Sequence, residues 1–261
     1  MPFDLFAPGS ATVLALVAAR VGGLVLVAPV FSATPVPVTV RTLLVVLVSV
    51  LLQPVAMASH VGVPALTPVL AASETIVGVT IGMGAALIVG ASEAAGEILG
   101  VQIGLSGAAV LDPLSHGQSS ALSTFTSLFT VALLLSLNLH LVMLRALASS
   151  LQHLPVGEAL HLDAGLWALV ELGTRLFILG IRFASPVIGA VMLANAALAV
   201  LGRVAPQMNL LAISFPVQIA VGVFALGAAL PFIAVSLRGW TGEYGAMLTH
   251  TLGALVGAQG R

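Results

Sequence analysis

The 261-residue chain has no cysteine, and all eight of its cations are arginine. Without cysteine there is no disulfide framework and no thiolate metal site. The missing lysine is the kind of bias that codon usage produces. Charge of either sign is scarce, at 7% of residues, where soluble domains carry roughly a quarter. A net charge of -1 leaves no basic footprint for nucleic acid. No GxxxxGK[ST] stretch is present, so energy for any transport comes from elsewhere. The six histidines, His60, His116, His140, His153, His161 and His250, form neither HExxH nor HxxxH, so zinc has little support.

What remains is apolar. Hydrophobic residues make up 59% of the chain, and the mean hydropathy is +1.19. Residues 42–73, 113–144, 183–202 and 204–237 carry no formal charge. Each run exceeds or matches the ~20 apolar residues that a membrane span needs. The composition predicts an all-α integral membrane protein. The N-terminus, MPFDLF, is acidic, and Arg20 interrupts the first apolar run. Both features are foreign to a cleaved signal peptide, so this segment is expected to stay as the first span.

Six apolar segments are predicted, at about 10–30, 42–57, 69–91, 122–147, 166–193 and 209–237. Breaker residues separate them. Pro29, Pro35 and Pro37 form the first group, and Pro54, Pro64 and Pro68 the second. Asp112-Pro113, Pro155-Val156-Gly157 and Ala205-Pro206-Gln207 follow. The tail, 238–261, is mildly amphipathic and is expected at a membrane interface. The arginines are distributed too evenly for the positive-inside rule to choose an orientation. No soluble domain and no internal repeat stands out.

Three features carry chemistry. Gly78, Gly82, Ala86 and Gly90 recur every fourth residue, as do Gly96, Gly100 and Gly104. Small residues on one helix face let backbones approach closely, within one subunit or between subunits. Arg20, Glu74, Glu171, Arg175 and Arg182 fall inside apolar segments, where each charge costs roughly 2.5–3.5 kcal/mol. Glu171 and Arg175 are spaced to pair along one helix, as a structural ion pair ahead of an ion pathway. Finally, the polar, glycine-bearing stretch 93–118 interrupts the apolar pattern. Irregular backbone at membrane depth survives only when protein or a water-filled cavity shelters it.

Within that stretch Gly104-Leu105-Ser106-Gly107 fits GxSG, which resembles the nucleophile motif of rhomboid intramembrane proteases. His250-Thr251-Leu252-Gly253 fits the partner pattern HxxG. Both patterns are short, and no HxxxN stands in an earlier span.

A broader resemblance covers most of the chain. GEILGVQIGLS and AAVLDPLSHGQ, between Gly96 and Gln118 and including Glu97, resemble the central motif of the FliR family of type III export-gate proteins. Arg20 with Pro29 and Phe31 resembles that family's first span, and Pro35 to Arg41 its first turn. Asn138 and His140, then Pro155 and Gly157, are similar to its fourth segment and exit. Arg203, Pro206, Gln207 and Asn209, then Phe215 and Pro216, resemble its signature before the last span.

The resemblance implies one FliR-like membrane domain over 1–261 and a structural, non-enzymatic role without cofactor or metal. Implied partners are FliP-like and FliQ-like subunits, a FlhB-like switch protein, membrane lipid and unfolded exported proteins. The implied place is the flagellar basal body in the bacterial inner membrane. A virulence injectisome is the alternative setting. It further implies a pore plug at 104–118, with Gly104, Leu105, Ser106, Gly107, Val110, Asp112, Pro113 and Gly117 as its residues. Related sequences commonly carry aromatics where Gly107 and Val110 stand here.

Overall fold

The computed structural model describes residues 9–32, 36–59, 66–104, 121–157, 162–205, 207 and 210–255. The plug residues Leu105, Ser106, Gly107, Val110, Asp112, Pro113 and Gly117 lie outside these, as do Pro206 and Asn209. Among the described residues no strand forms. The helices are α1 (Ser10–Val27), α2 (Pro29–Ser32), α3 (Val38–Ser59), α4 (Pro68–Ile103), α5 (Ala121–Ser136), α6 (Leu139–His153), α7 (Leu162–Val204) and α8 (Leu210–Leu255).

Local chemistry sets several of these ends. Pro37 and Pro68 stand at helix starts, where the missing N–H costs nothing. Arg41 N–H donates to the Pro37 carbonyl at 3.2 Å, and the Thr67 hydroxyl accepts from Leu70 N–H at 3.3 Å. Between α5 and α6, Asn138 adopts φ 59° and the two helices bend by 62°. Asparagine tolerates this left-handed backbone better than most residues. Leu154 N–H closes α6 on the Ser150 carbonyl at 2.8 Å, before Pro155.

Among the described residues five helices are long and apolar enough to cross a membrane, or six spans if the bent α5–α6 pair counts as one. The protein is an all-α integral membrane protein, and the six apolar segments correspond to these spans. Three helices, α4, α7 and α8, run ten or more residues past the predicted segment ends at 91, 193 and 237. The 36 residues of α4 continue through Glu93 and Glu97 to Ile103, a length of about 54 Å. The first part of the polar stretch is therefore helix and not an interruption. Five of its residues, Ala95, Gly96, Leu99, Gly100 and Ile103, are buried while Glu93 faces out. A helix of this kind holds a few charges without breaking, because its backbone hydrogen bonds are internal. Likewise α8 passes Arg238 without a break. Pro54, Pro186, Pro216 and Pro231 lie inside helices, so Pro54 does not end the second span.

The chain forms two compact units. Residues 1–87, 134–174 and 240–261 make the first; 88–133 and 175–239 make the second. Neither is a continuous stretch of chain. In the first unit α1 packs against α3, and α3 against α6. The sidedness of α3 is inverted relative to a soluble helix. Its buried residues are Ser49, Gln53 and Ala56, while Leu43, Leu47 and Leu51 are exposed. Small and polar groups meet protein and leucines face outward, as a lipid-contacting helix requires. Gln53 donates to the Ser10 carbonyl at 3.1 Å, and the Ser59 hydroxyl to the Leu151 carbonyl at 2.8 Å. The last part of α8 buries Trp240, Tyr244 and Leu248. Tyr244 lies against Gly84 and donates to the Ile81 carbonyl.

Candidate functional site

Two polar centres stand out, one in each unit. The first is an ion pair. Arg20 is fully buried and Glu74 is 2% exposed. They meet because α1 and α4 cross closely. A Cβ on Gly78 would strike the Arg20 backbone carbonyl, and one on Gly23 the Thr75 carbonyl. At that separation Arg20 Nε donates to Glu74 Oε2 at 2.6 Å. The guanidinium's other nitrogens stay available. One donates to the Ser150 hydroxyl and one to the Leu154 carbonyl, each at 3.1 Å. The second carboxylate oxygen of Glu74 accepts the Gly157 N–H at 2.9 Å. Gly157 has φ +90°, a conformation that glycine adopts without strain.

Both charges are thus paired and hydrogen-bonded, the condition for keeping them in a low-dielectric interior. The cluster ties α1, α4 and α6 to the Leu154–Gly157 turn. It also gives the Pro155–Gly157 and Arg20 motifs one shared physical role. Sequence spacing pairs Glu171 with Arg175; their side chains are outside the described residues, and Arg182 is exposed. Glu74 as the partner of Arg20 is not anticipated from the sequence. The available signal was two opposite charges in separate spans, each beside glycines.

The second centre surrounds the end of α4. Gly104 has φ +83°, and its N–H donates to the Val101 carbonyl at 3.1 Å. A Cβ there would lie 3.1 Å from the Phe215 ring and 3.6 Å from Gln218 Oε1. The Ile103 side chain lies against Gly222. Gln218 Nε2 in turn donates to Asn195 Oδ1 at 2.6 Å, joining α8 to α7. Three turns back along α4, the Ser92 and Thr130 hydroxyls are 2.6 Å apart. Ser92 donates to the Thr126 carbonyl at 3.0 Å, and Thr126 returns a bond to the Ser92 carbonyl at 2.9 Å. Gly96 makes room for this contact, since a Cβ would meet Thr126 and Ser123.

The other glycines differ among themselves. Gly82 faces Leu24 and Ala28, Gly100 is buried, and Gly90 is exposed with nothing within 4 Å of a Cβ. Of the motif residues, Pro29 opens α2 and Phe31 is half-buried on it. Glu97 is half-buried, and Arg203, Gln207, Phe215 and Pro216 are exposed. His140 follows the Asn138 bend, with its Nδ1 buried and unbonded. Among the described residues no group of three or more histidine and acidic side chains could hold a metal ion. His250 is exposed on α8, and Ser106 lies outside the described residues.

The family of bacterial export proteins, family 1, matches this chain over residues 11–243. The chain belongs to that family. Its relatives are FliR proteins. It is 33% identical over 217 residues to the flagellar biosynthetic protein FliR of Escherichia coli, covering 82% of this chain and 83% of the relative. With FliR of Caulobacter vibrioides it is 28% identical over 239 residues, covering 90% and 94%. With FliR of Bacillus subtilis it is 28% identical over 172 residues, covering 65% and 66%. The FliR-family match spans both polar centres and stops short of His250.

Proposed function

We propose that this FliR-family chain is a structural subunit of the flagellar type III export gate in the bacterial inner membrane. In this reading residues 1–261 act as one membrane domain within the flagellar basal body. It assembles with FliP-like and FliQ-like subunits, alongside a FlhB-like switch protein. Unfolded flagellar proteins pass through the assembled pore, and residues 104–118 restrict it. The chain performs no catalysis of its own.

The observation that carries the reading is the family match over nearly the whole chain, residues 11–243, to relatives named for flagellar biosynthesis. Two physical features support it. The stretch after Gly104 is too polar and too rich in breakers to face lipid. Gly104 itself ends α4 in a left-handed turn, which lets the chain leave the helix axis sharply.

The test uses gates assembled with the partner subunits. Removing residues 107–111 is expected to leave assembly intact and to make the membrane leak small solutes. An assembled deletion that leaks no more than wild type would sink the plug assignment. Ser106→Ala is expected to assemble and to support motility. Loss of motility in an assembled Ser106→Ala gate would favour a serine nucleophile instead.

A further inference from the structure

We infer that Gln218, held by Asn195, is the positioning residue for the C-terminal end of α4. This rests on the proposal that the segment beginning at Gly104 restricts the pore. Three observations converge on it. Gln218 is a half-buried amide within a long apolar helix, where an unbonded polar group is costly. Its Nε2 is committed to Asn195 Oδ1 at 2.6 Å, which turns Oε1 toward Gly104. That oxygen lies 3.6 Å from where a Gly104 Cβ would stand.

The surroundings fit a seat for the helix end. Phe215, Gln218 and Gly222 recur at i, i+3 and i+7, so they share one face of α8. That face receives the last two residues of the described α4 end. Ile103 lies on Gly222, and Gly104 lies on Phe215 and Gln218. Gly222 and Gly104 remove the side chains that would hold the helices apart, and Phe215 supplies bulk. The Asn195–Gln218 bond fixes the amide's rotamer and braces the seat from α7. A glutamine free to choose rotamers would leave Gly104 seated on Phe215 without the amide beside it. The pair therefore sets the point from which the chain departs after Gly104.

The absence of cysteine makes the test direct. Val101, on the last turn of α4, is 68% exposed. Val101→Cys places one spin label there in the assembled gate, with background taken from gates lacking that substitution. Gln218→Leu and Asn195→Leu are each expected to raise the mobile component roughly threefold, the effect of losing one neutral hydrogen bond inside a membrane protein. The double variant should go no further than either single one, since both remove the same bond. Asn195→Gln with Gln218→Asn keeps the amide pair and its summed length, and should restore the wild-type spectrum. Gln53→Leu, which removes a buried amide of the first unit, should not move it. If Gln218→Leu fails to assemble, Gln218→Met replaces it.

An unchanged spectrum in an assembled Gln218 variant overturns the inference, as does failure of the exchanged pair to restore it. Solute leak in the same gates separates this idea from the one beneath it. A shifted spectrum with no leak, in gates where deletion of 107–111 also leaks nothing, removes the plug and leaves the positioning role. A leaking deletion beside an unmoved Gln218→Leu spectrum does the reverse.

Discussion

The two units hold their helices together with different chemistry. In the first, Arg20 and Glu74 are charged, fully enclosed and supplied with hydrogen bonds from three other groups. In the second, the Ser92, Thr126 and Thr130 hydroxyls and the Asn195–Gln218 amides join helices through neutral groups. A neutral hydrogen bond inside a membrane protein is worth about 0.6 kcal/mol on average. Breaking a buried ion pair by removing one partner costs about 3–5 kcal/mol, because the survivor is left uncompensated. The first arrangement specifies one register strongly. The second can be remade at small cost, which suits helices that border a stretch with a proposed closing role.

The sharpest way to break this contrast is Glu74→Leu. It strands the Arg20 guanidinium inside the first unit and should cost about 3–5 kcal/mol. Assembled protein in membranes, measured by quantitative immunoblot, should fall to a small fraction of wild type. Arg20→Met combined with Glu74→Leu removes both charges and should recover much of the loss. If Glu74→Leu accumulates normally, the ion pair is not what fixes the first unit.

Glycine contacts supply a middle-sized effect. Gly82→Leu pushes a side chain into Leu24 and Ala28 and should cost about 1–3 kcal/mol. Gly90→Leu enters open space on the same helix and should leave the thermal midpoint of the purified gate nearly unchanged. Equal losses for the two would place Gly90 against another subunit, whereas equal tolerance would remove close packing as the role of Gly82.

The smallest change belongs to the second unit. Ser92→Ala deletes a hydroxyl shared with Thr126 and Thr130. About 0.6 kcal/mol is the expected loss, read as a shift of one or two degrees in the midpoint. A loss as large as that of Glu74→Leu would erase the distinction between the units.

Particular residues show what could be read ahead of the structure. Pro37 and Pro68 marked helix starts, and Pro155 with Gly157 marked an exit, because backbone constraints act at the residue itself. Pro54 misled for the converse reason. A membrane helix tolerates an internal proline when its neighbours satisfy the freed backbone groups. The stretch from Glu93 looked like an interruption because its side chains are polar, yet helix formation there depends on which face is covered. Glu171 and Arg175 drew attention as a pair because four residues separate them. Arg20 and Glu74 are separated by 54, and no local rule joins them.

The amino-acid sequence by itself determined the membrane class, the six apolar segments, most helix starts and the resemblance to FliR. Those follow from side-chain hydrophobicity, backbone constraints and local motifs, each of which acts over a few residues. Only the tertiary structure decided that Glu74 answers Arg20, that Gly82 is covered while Gly90 is open, and that Gln218 reaches Asn195 beside Gly104. Those depend on the rotation and register of one helix against another. Register is settled by whole packed faces together, so no single stretch of sequence contains it.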